Sequence, residues 1–427
     1  MTSAYITRKP SAFLILKRVQ RMTVEVSAIN LRRIVMLFSI ALIMIVGMFT
    51  GWLCKKIHLP ALMGMIFTGI ILGPYAFNLI DGSILEISPE LRRIALIIIL
   101  TRAGLSLDIN DLKKVGRPAV LMCFVPACFE ILGMIVLAPH LLGISILDAA
   151  IMGAVVGAVS PAVIVPKMVK LIEEGRGTAK GIPQLILAGA SVDDVFVIVI
   201  FSAFTGLAQG GSISPSAFIK IPISILIGIA SGLLLGYLLS RYFKLFHIRD
   251  TVKVIILLSL SFMLVSLEDR FSDRIPFSAL IAVMCVGIAL KEKREIVAAR
   301  LSLKFNKLWV CAEVLLFVLV GATVDLKYAA AAGPAALLLI AGVLVFRMAG
   351  VLFCLVKTKL NRKERVFCMI AYMPKATVQA AIGGLPLAMG LSCGNIVLTV
   401  AVLAILITAP LGAFLIDSTC RKLLSII

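Results

Sequence analysis

The chain has 427 residues, 61% of them hydrophobic and 15% charged, and its 42 Lys/Arg against 22 Asp/Glu give a net charge of +20. Its apolar residues fall in long uncharged runs, which excludes a soluble globular domain, and the lack of ~10-residue alternating segments excludes a β-barrel. The basic excess sits in loops and alternates from one side to the other, which is the pattern of membrane topology and not of a nucleic-acid surface.

In chain order, residues 1–33 form a basic tail with seven Lys/Arg and no clean apolar stretch of the kind a signal peptide carries. Thirteen membrane-spanning helices are expected after it, at 34–53, 61–80, 91–107, 117–137, 147–169, 185–207, 218–239, 252–267, 277–290, 308–326, 334–356, 366–389 and 394–416. Two of these spans read as broken. The fifth contains Gly157-Ala-Val-Ser160-Pro161 and Pro166, and the twelfth contains Pro374-Lys375 followed by Gly383, Gly384 and Pro386. Proline lacks the backbone donor and clashes with the preceding turn, so each sequence interrupts its helix.

Loops after the odd-numbered spans, with the C-terminal tail, hold 26 Lys/Arg against five in the even-numbered loops. The positive-inside rule therefore places the C-terminus in the cytoplasm and, with an odd span count, the start of the first span outside. The basic N-terminal tail runs against that order. Either it is translocated regardless, or a further helix lies near 12–31, or translation starts at Met22.

An internal repeat divides the chain. Leu105-Ser-Leu-Asp108 ends span three and Ala322-Thr-Val-Asp325 ends span ten, 217 positions later; Pro118 and Pro334, 216 apart, open spans four and eleven. A shift of seven spans inverts the second copy in the membrane, and it carries the broken span five onto the broken span twelve. The expected organisation is a first six-helix repeat (34–207), a linker helix (208–251), a second, inverted six-helix repeat (252–416) and a short tail (417–427). Paired broken helices in inverted repeats point to a transporter's substrate site.

Asp193 and Asp194 stand in the apolar stretch 185–207, about nine residues from one end and fourteen from the other, which at ~1.5 Å per residue is close to the bilayer midplane. A charge there costs roughly 2.5–3.5 kcal/mol on insertion scales, so two of one sign side by side call for a function. With Arg92, Arg93, Arg117, Lys167 and Lys253 counted in the adjoining loops and Asp325 as the end of span ten, the other charged residues inside spans are Arg102, Lys220, Arg347, Lys375, Glu130 and Glu313, with Asp148 at an edge. Pairing Lys375 with one aspartate, and Arg347 with Glu130, neutralises the burden and joins spans six and twelve, and four and eleven. Glu313 and Arg102 fit snorkelling or water-lining positions. His58, His140 and His247 lie near span ends, and the nine cysteines lack metal spacing; no cofactor is expected.

Arg102-Ala-Gly-Leu-Ser-Leu-Asp108, Gly157-Ala-Val-Ser-Pro-Ala-Val-Ile-Val-Pro166, Ala190-Ser-Val-Asp-Asp194 and Met373-Pro-Lys-Ala-Thr-Val-Gln-Ala-Ala-Ile-Gly383 together resemble the monovalent cation:proton antiporters, in the paired-aspartate branch that includes the NHA-type sodium/proton exchangers. The resemblance covers roughly residues 34–416. It implies the inverted-repeat sodium/proton antiporter fold with two broken crossing helices, and a homodimer in the cell membrane. It further implies Asp194 as the main cation and proton carboxylate, binding Na⁺ or Li⁺, with Asp193 as partner of Lys375 and Glu130 with Arg347 as an ion pair. Some relatives carry another acid in span five, where this chain has Ser160-Pro161, which leaves the ligand shell and the charge moved per cycle open.

The residues themselves agree with exchange. Consecutive helical residues point about 100° apart, so Asp193 and Asp194 face different surroundings, one a basic partner and the other the ion path. A carboxylate in a partly dry cavity holds a proton or a small cation but not both, and Ser160 with carbonyls freed around Pro161 would add hard oxygen ligands. A K⁺/H⁺ antiporter or K⁺ efflux protein of the same superfamily is the nearest alternative, and a cation channel a more distant one. An intramembrane aspartyl protease does not fit, since its two acids must come from different helices. About eleven residues follow the last span, and no nucleotide-binding domain is expected among them.

Overall fold

The structure is a computed structural model that describes residues 35–57, 59–107, 116–209, 215–271 and 277–426. The N-terminal tail, His58 and Asp108 lie outside these residues. The described chain is helical almost throughout; the one β-type contact among the described residues is an isolated bridge between Arg176 and Ile426. Nine described helices are long and apolar enough to cross a membrane.

The helices, numbered here in chain order, are α1 (Val35–Lys56), α2 (Ala61–Leu72), α3 (Gly82–Glu86), α4 (Ser88–Ser106), α5 (Arg117–Met122), α6 (Val125–Leu142), α7 (Ile146–Val156), α8 (Pro161–Glu173), α9 (Ile182–Gln209), α10 (Pro215–Leu245), α11 (Asp250–Phe271), α12 (Ala279–Lys293), α13 (Glu295–Ala322), α14 (Leu326–Cys354), α15 (Arg362–Ala371), α16 (Thr377–Ile382), α17 (Leu385–Ala388) and α18 (Gly394–Leu423). The expected spans three and nine are α4 and α12, the latter ending in a charged turn. Expected span two stops as a helix at Leu72, where Gly73 turns extended.

Two groups of helices pack side by side. In one, α13 lies against α2 and α4, α12 against α4, and α10 against α12. Small residues permit these approaches. A Cβ on Gly69 would stand 1.9 Å from Val318 O and one on Gly321 2.2 Å from Ile66 O, so α2 and α13 touch backbone to backbone. Gly104 and Gly287 do the same for α4 and α12, and Gly228, Gly232 and Gly236 bring α10 onto α12.

The second group holds α5 to α9 and α14 to α18. Its axis is the long contact of α6 with α14, where Gly133 accommodates Phe346 and Gly350 accommodates Phe129. Between α5 and α6 the helix is interrupted at Cys123–Phe124. Pro126 removes the donor that would reach Met122 O, and that carbonyl lies 3.4 Å from the Tyr372 hydroxyl, which donates to it instead.

Both expected breaks are present, but at particular residues. The first separates α7 from α8 at Gly157–Ser160, and the second separates α15 from α16 at Tyr372–Ala376. Pro166, expected to contribute to the first break, lies inside α8, which continues to Glu173. Pro161 makes the break because it starts the second half with extended backbone before it, and proline at a first helical turn costs no hydrogen bond.

Candidate ion-binding site

The two breaks cross and bind each other: the backbone N–H of Ser160 donates to Pro374 O at 2.8 Å. A broken helix leaves carbonyls without partners at the end of its first half and N–H groups without partners at the start of its second. Each break is satisfied by side chains from its neighbours. The Val159 N–H donates to Asp193 Oδ2 at 2.8 Å, and the Lys375 N–H to Thr408 Oγ1 at 2.9 Å, so the helix following each break caps it. Gln379 donates its side-chain amide to Val156 O at 3.0 Å and Ala158 O at 2.8 Å.

Arg347 on α14 joins all of these. Its Nε donates to Tyr372 O at 2.6 Å and its NH1 to Gly157 O, the carbonyls that end the two first halves. A guanidinium suits that position, since the C-terminal ends of two helices carry partial negative charge and the five donors are rigidly spread. The same group pairs with two carboxylates, NH1 to Glu130 Oε2 at 2.6 Å and NH2 to Asp193 Oδ2 at 2.9 Å. The Tyr372 ring lies 5.5 Å from the guanidinium carbon and closes this pocket.

The pairing differs from the expected one in one respect. Arg347 meets Glu130 as expected, but Asp193 also goes to Arg347, and Lys375 Nζ goes to Glu130 Oε2 at 2.5 Å. Asp193 is held by a guanidinium that already sits at the crossing, whereas Lys375 extends from the second break toward α6. Glu130, Asp193, Arg347 and Lys375 are each no more than 1% exposed, so these bonds form in a dry interior.

Asp194 stands apart from this network. Its side chain is half-buried, and its Oδ1 has no partner among the described residues. Ser160 is fully buried with its Oγ in the same condition, and Pro161 and Pro374 border it. With every group ionised, Glu130, Asp193 and Asp194 against Arg347 and Lys375 leave one negative charge in excess. That excess falls on Asp194, the one carboxylate of the three without a basic partner among the described residues.

A cleft of 680 Å³ opens between the two helix groups. It is lined by Trp52, Lys55 and Glu313 on one side and by Val163, Pro166 and Asp417 on the other, and Lys167 pairs with Asp417 at its mouth. Glu313 therefore lines a cavity wall.

Tyr372, Gln379 and Thr408 hold the crossing together without standing out in the sequence, because neutral groups carry no insertion penalty large enough to draw attention. Gln379 in the motif Ala376-Thr-Val-Gln379 was the readable signal, an amide amid apolar residues. Arg92, counted with a loop, is 3% exposed and packs over Gly384, where a Cβ would meet its NH1 at 2.1 Å.

The family described as sodium/hydrogen exchanger, transmembrane, matches residues 35–422. Sodium/hydrogen exchanger 9B2 of Xenopus tropicalis is 33% identical over 411 residues, covering 91% of this chain and 75% of that protein. The human sodium/hydrogen exchanger 9B2 is 33% identical over 385 residues, covering 86% and 70%. Among solved structures, the sodium proton antiporter MjNhaP1 from Methanocaldococcus jannaschii at pH 8 superposes with a TM-score of 0.81 at 22% identity, over 92% of this chain and 99% of that one.

Proposed function

Because the chain belongs to the sodium/hydrogen exchanger family, and is a multi-pass membrane antiporter of Na⁺ and H⁺ with that fold, we propose that the two ions compete for Asp194. The observation that carries this is the contrast between two consecutive carboxylates. Asp193 Oδ2 is engaged by Arg347 and the Val159 N–H, whereas Asp194 has no ion pair among the described residues; each carboxylate has an Oδ1 without a partner among them.

A proton on Asp194 excludes the cation, and its release on one side allows Na⁺ or Li⁺ to enter between Asp194 and the Ser160 hydroxyl. Asp193, Glu130, Arg347 and Lys375 keep their charges paired throughout and hold the broken ends together. One carboxylate then carries either one proton or one cation, so the exchange is one for one and moves no net charge. The K⁺-transporting alternative is not favoured by these relatives.

The two helix groups suit alternating access, with the crossing carried by one and the cleft opening along their boundary. The cleft mouth bears Lys55 and Lys167, on the basic side, which the positive-inside rule makes cytoplasmic along with the C-terminus of a protein in the cell membrane. Six-helix repeats at 34–207 and 252–416 around a linker helix, thirteen spans in all, are supported by spacing. Gly69 to Gly287 is 218 positions and Gly104 to Gly321 is 217, and the contacts are Gly69 with α13 and Gly287 with α4. A homodimer in lipid completes the proposal.

Reconstitution in liposomes with Na⁺, Li⁺ and K⁺ in turn, with the membrane potential clamped and unclamped, tests it. Uphill cation movement driven by a pH gradient is expected. A channel would show none.

A further inference from the structure

Buried polar atoms in proteins almost always have a hydrogen-bond partner, so a cluster of them without one calls for a reason. At the two breaks Ser160 Oγ, Thr377 Oγ1 and Gln379 Oε1 lack a partner among the described residues, and on α9 so do Asp193 Oδ1 and Asp194 Oδ1. Thr377 is 2% exposed and Gln379 1%. Both belong to α16, on the second broken helix, which packs against α7 and α9.

The orientation of Gln379 is settled by its neighbours. Its amide nitrogen faces two carbonyls, Val156 O and Ala158 O, and turning the amide over would set oxygen against oxygen. The Oε1 atom is therefore held away from them, buried and fixed. Thr377 stands 217 positions after Ser160, the spacing that also separates Glu130 from Arg347, and three residues after the Pro374 carbonyl that receives the Ser160 N–H.

We propose that Thr377 Oγ1 and Gln379 Oε1 supply neutral oxygen ligands to the transported cation, so that the second broken helix contributes to the ion's shell as the first does through Ser160. The proposal rests on the reading of Asp194 as the exchanging carboxylate. Carboxylate, hydroxyl and carbonyl oxygens are the ligand types that small hard cations prefer. Neutral ligands leave the one-charge excess at Asp194 unaltered and set which cation fits.

The test uses the full chain in proteoliposomes, with Na⁺ and Li⁺ as probes. Thr377→Val keeps the shape and removes the hydroxyl; it is expected to raise the KM for Na⁺ about tenfold, with the maximal rate within about twofold, and to change the Na⁺-to-Li⁺ ratio. Thr377→Ser should restore the wild-type values. Gln379→Met should also raise the KM, and Na⁺-induced thermal stabilisation in detergent should weaken in Thr377→Val and Gln379→Met alike. A wild-type KM, ion ratio and Na⁺ stabilisation in Thr377→Val would overturn the proposal, as would a fall in melting temperature with the KM unchanged. Should the valine variant not fold, Thr377→Ala is read by the same criteria. Asp194→Asn, run alongside, separates the two claims: full exchange by that variant defeats the underlying reading, whereas loss of exchange there with an unaltered Thr377→Val defeats only this inference.

Discussion

Glu130 and Arg347, 217 positions apart in the chain, meet at 2.6 Å in its interior. On either side of them Gly133 receives Phe346 and Gly350 receives Phe129, and each glycine is again 217 positions from the other, as are the phenylalanines. Contacts that map onto themselves when the two halves are exchanged are those the proposed inverted repeat would make, with this pair on its two-fold axis. Arg347 touches both breaks at once.

Arg347→Lys is expected to destabilise the protein by about 3–5 kcal/mol, the usual cost of leaving buried charges incompletely paired. A single ammonium cannot reach Tyr372 O, Gly157 O, Glu130 and Asp193 together, as the guanidinium does. Thermal unfolding in detergent measures this. An unchanged melting curve would mean that the guanidinium is not what joins the two breaks.

Asp194→Asn should abolish Na⁺-dependent dissipation of a pH gradient in proteoliposomes while leaving the fold intact, because Asp194 is outside the buried network. In the wild type, protons and Na⁺ compete for one group. Lowering the pH on the Na⁺ side should therefore raise the apparent KM for Na⁺ and leave the maximal rate at saturating Na⁺ unaltered. A maximal rate that falls with an unchanged KM would argue against competition.

Charge bookkeeping leads to a prediction about voltage. If one proton and one cation alternate at Asp194, the rate of exchange should not change between clamped potentials of either sign, and no transport current should appear on a supported membrane. Lys375→Ala leaves Asp193 with Arg347 and removes one of the two cations on Glu130. Exchange should persist with a changed pH profile; a profile identical to wild type would remove Lys375 from the coupled network.

Gly69→Ala or Gly321→Ala should disrupt the α2–α13 packing, since the added methyl would lie about 2 Å from a backbone carbonyl in either case. Gly206→Ala on α9 meets nothing within 4 Å and should be neutral or stabilising, by up to about 1 kcal/mol from helix propensity. Yields of monodisperse protein after purification compare the three. Equal yields would contradict the backbone contact.

Much of this architecture is determined by the sequence itself. Long uncharged runs are helices in a bilayer, and Pro161 and Pro374 mark the interruptions, although Pro166 lies inside α8, so the missing amide hydrogen alone does not decide where a helix breaks. Two adjacent aspartates within an apolar stretch single out Asp193 and Asp194 as candidates by their cost alone. Which charge answers which was decided by tertiary structure. Sequence offered Lys375 and Arg347 as two cations for Glu130 and an aspartate, and charge counting is equally satisfied by either assignment. Geometry breaks the tie: the carbonyls at both breaks converge on one point, a guanidinium can bond to them and still reach two carboxylates, and Lys375, pointing toward α6, is left with Glu130. The neutral groups at the crossing were decided the same way, since an amide or hydroxyl becomes notable only once burial has removed its water. Asp194 is left without a basic partner among the described residues, which is why it is the carboxylate proposed for the ion.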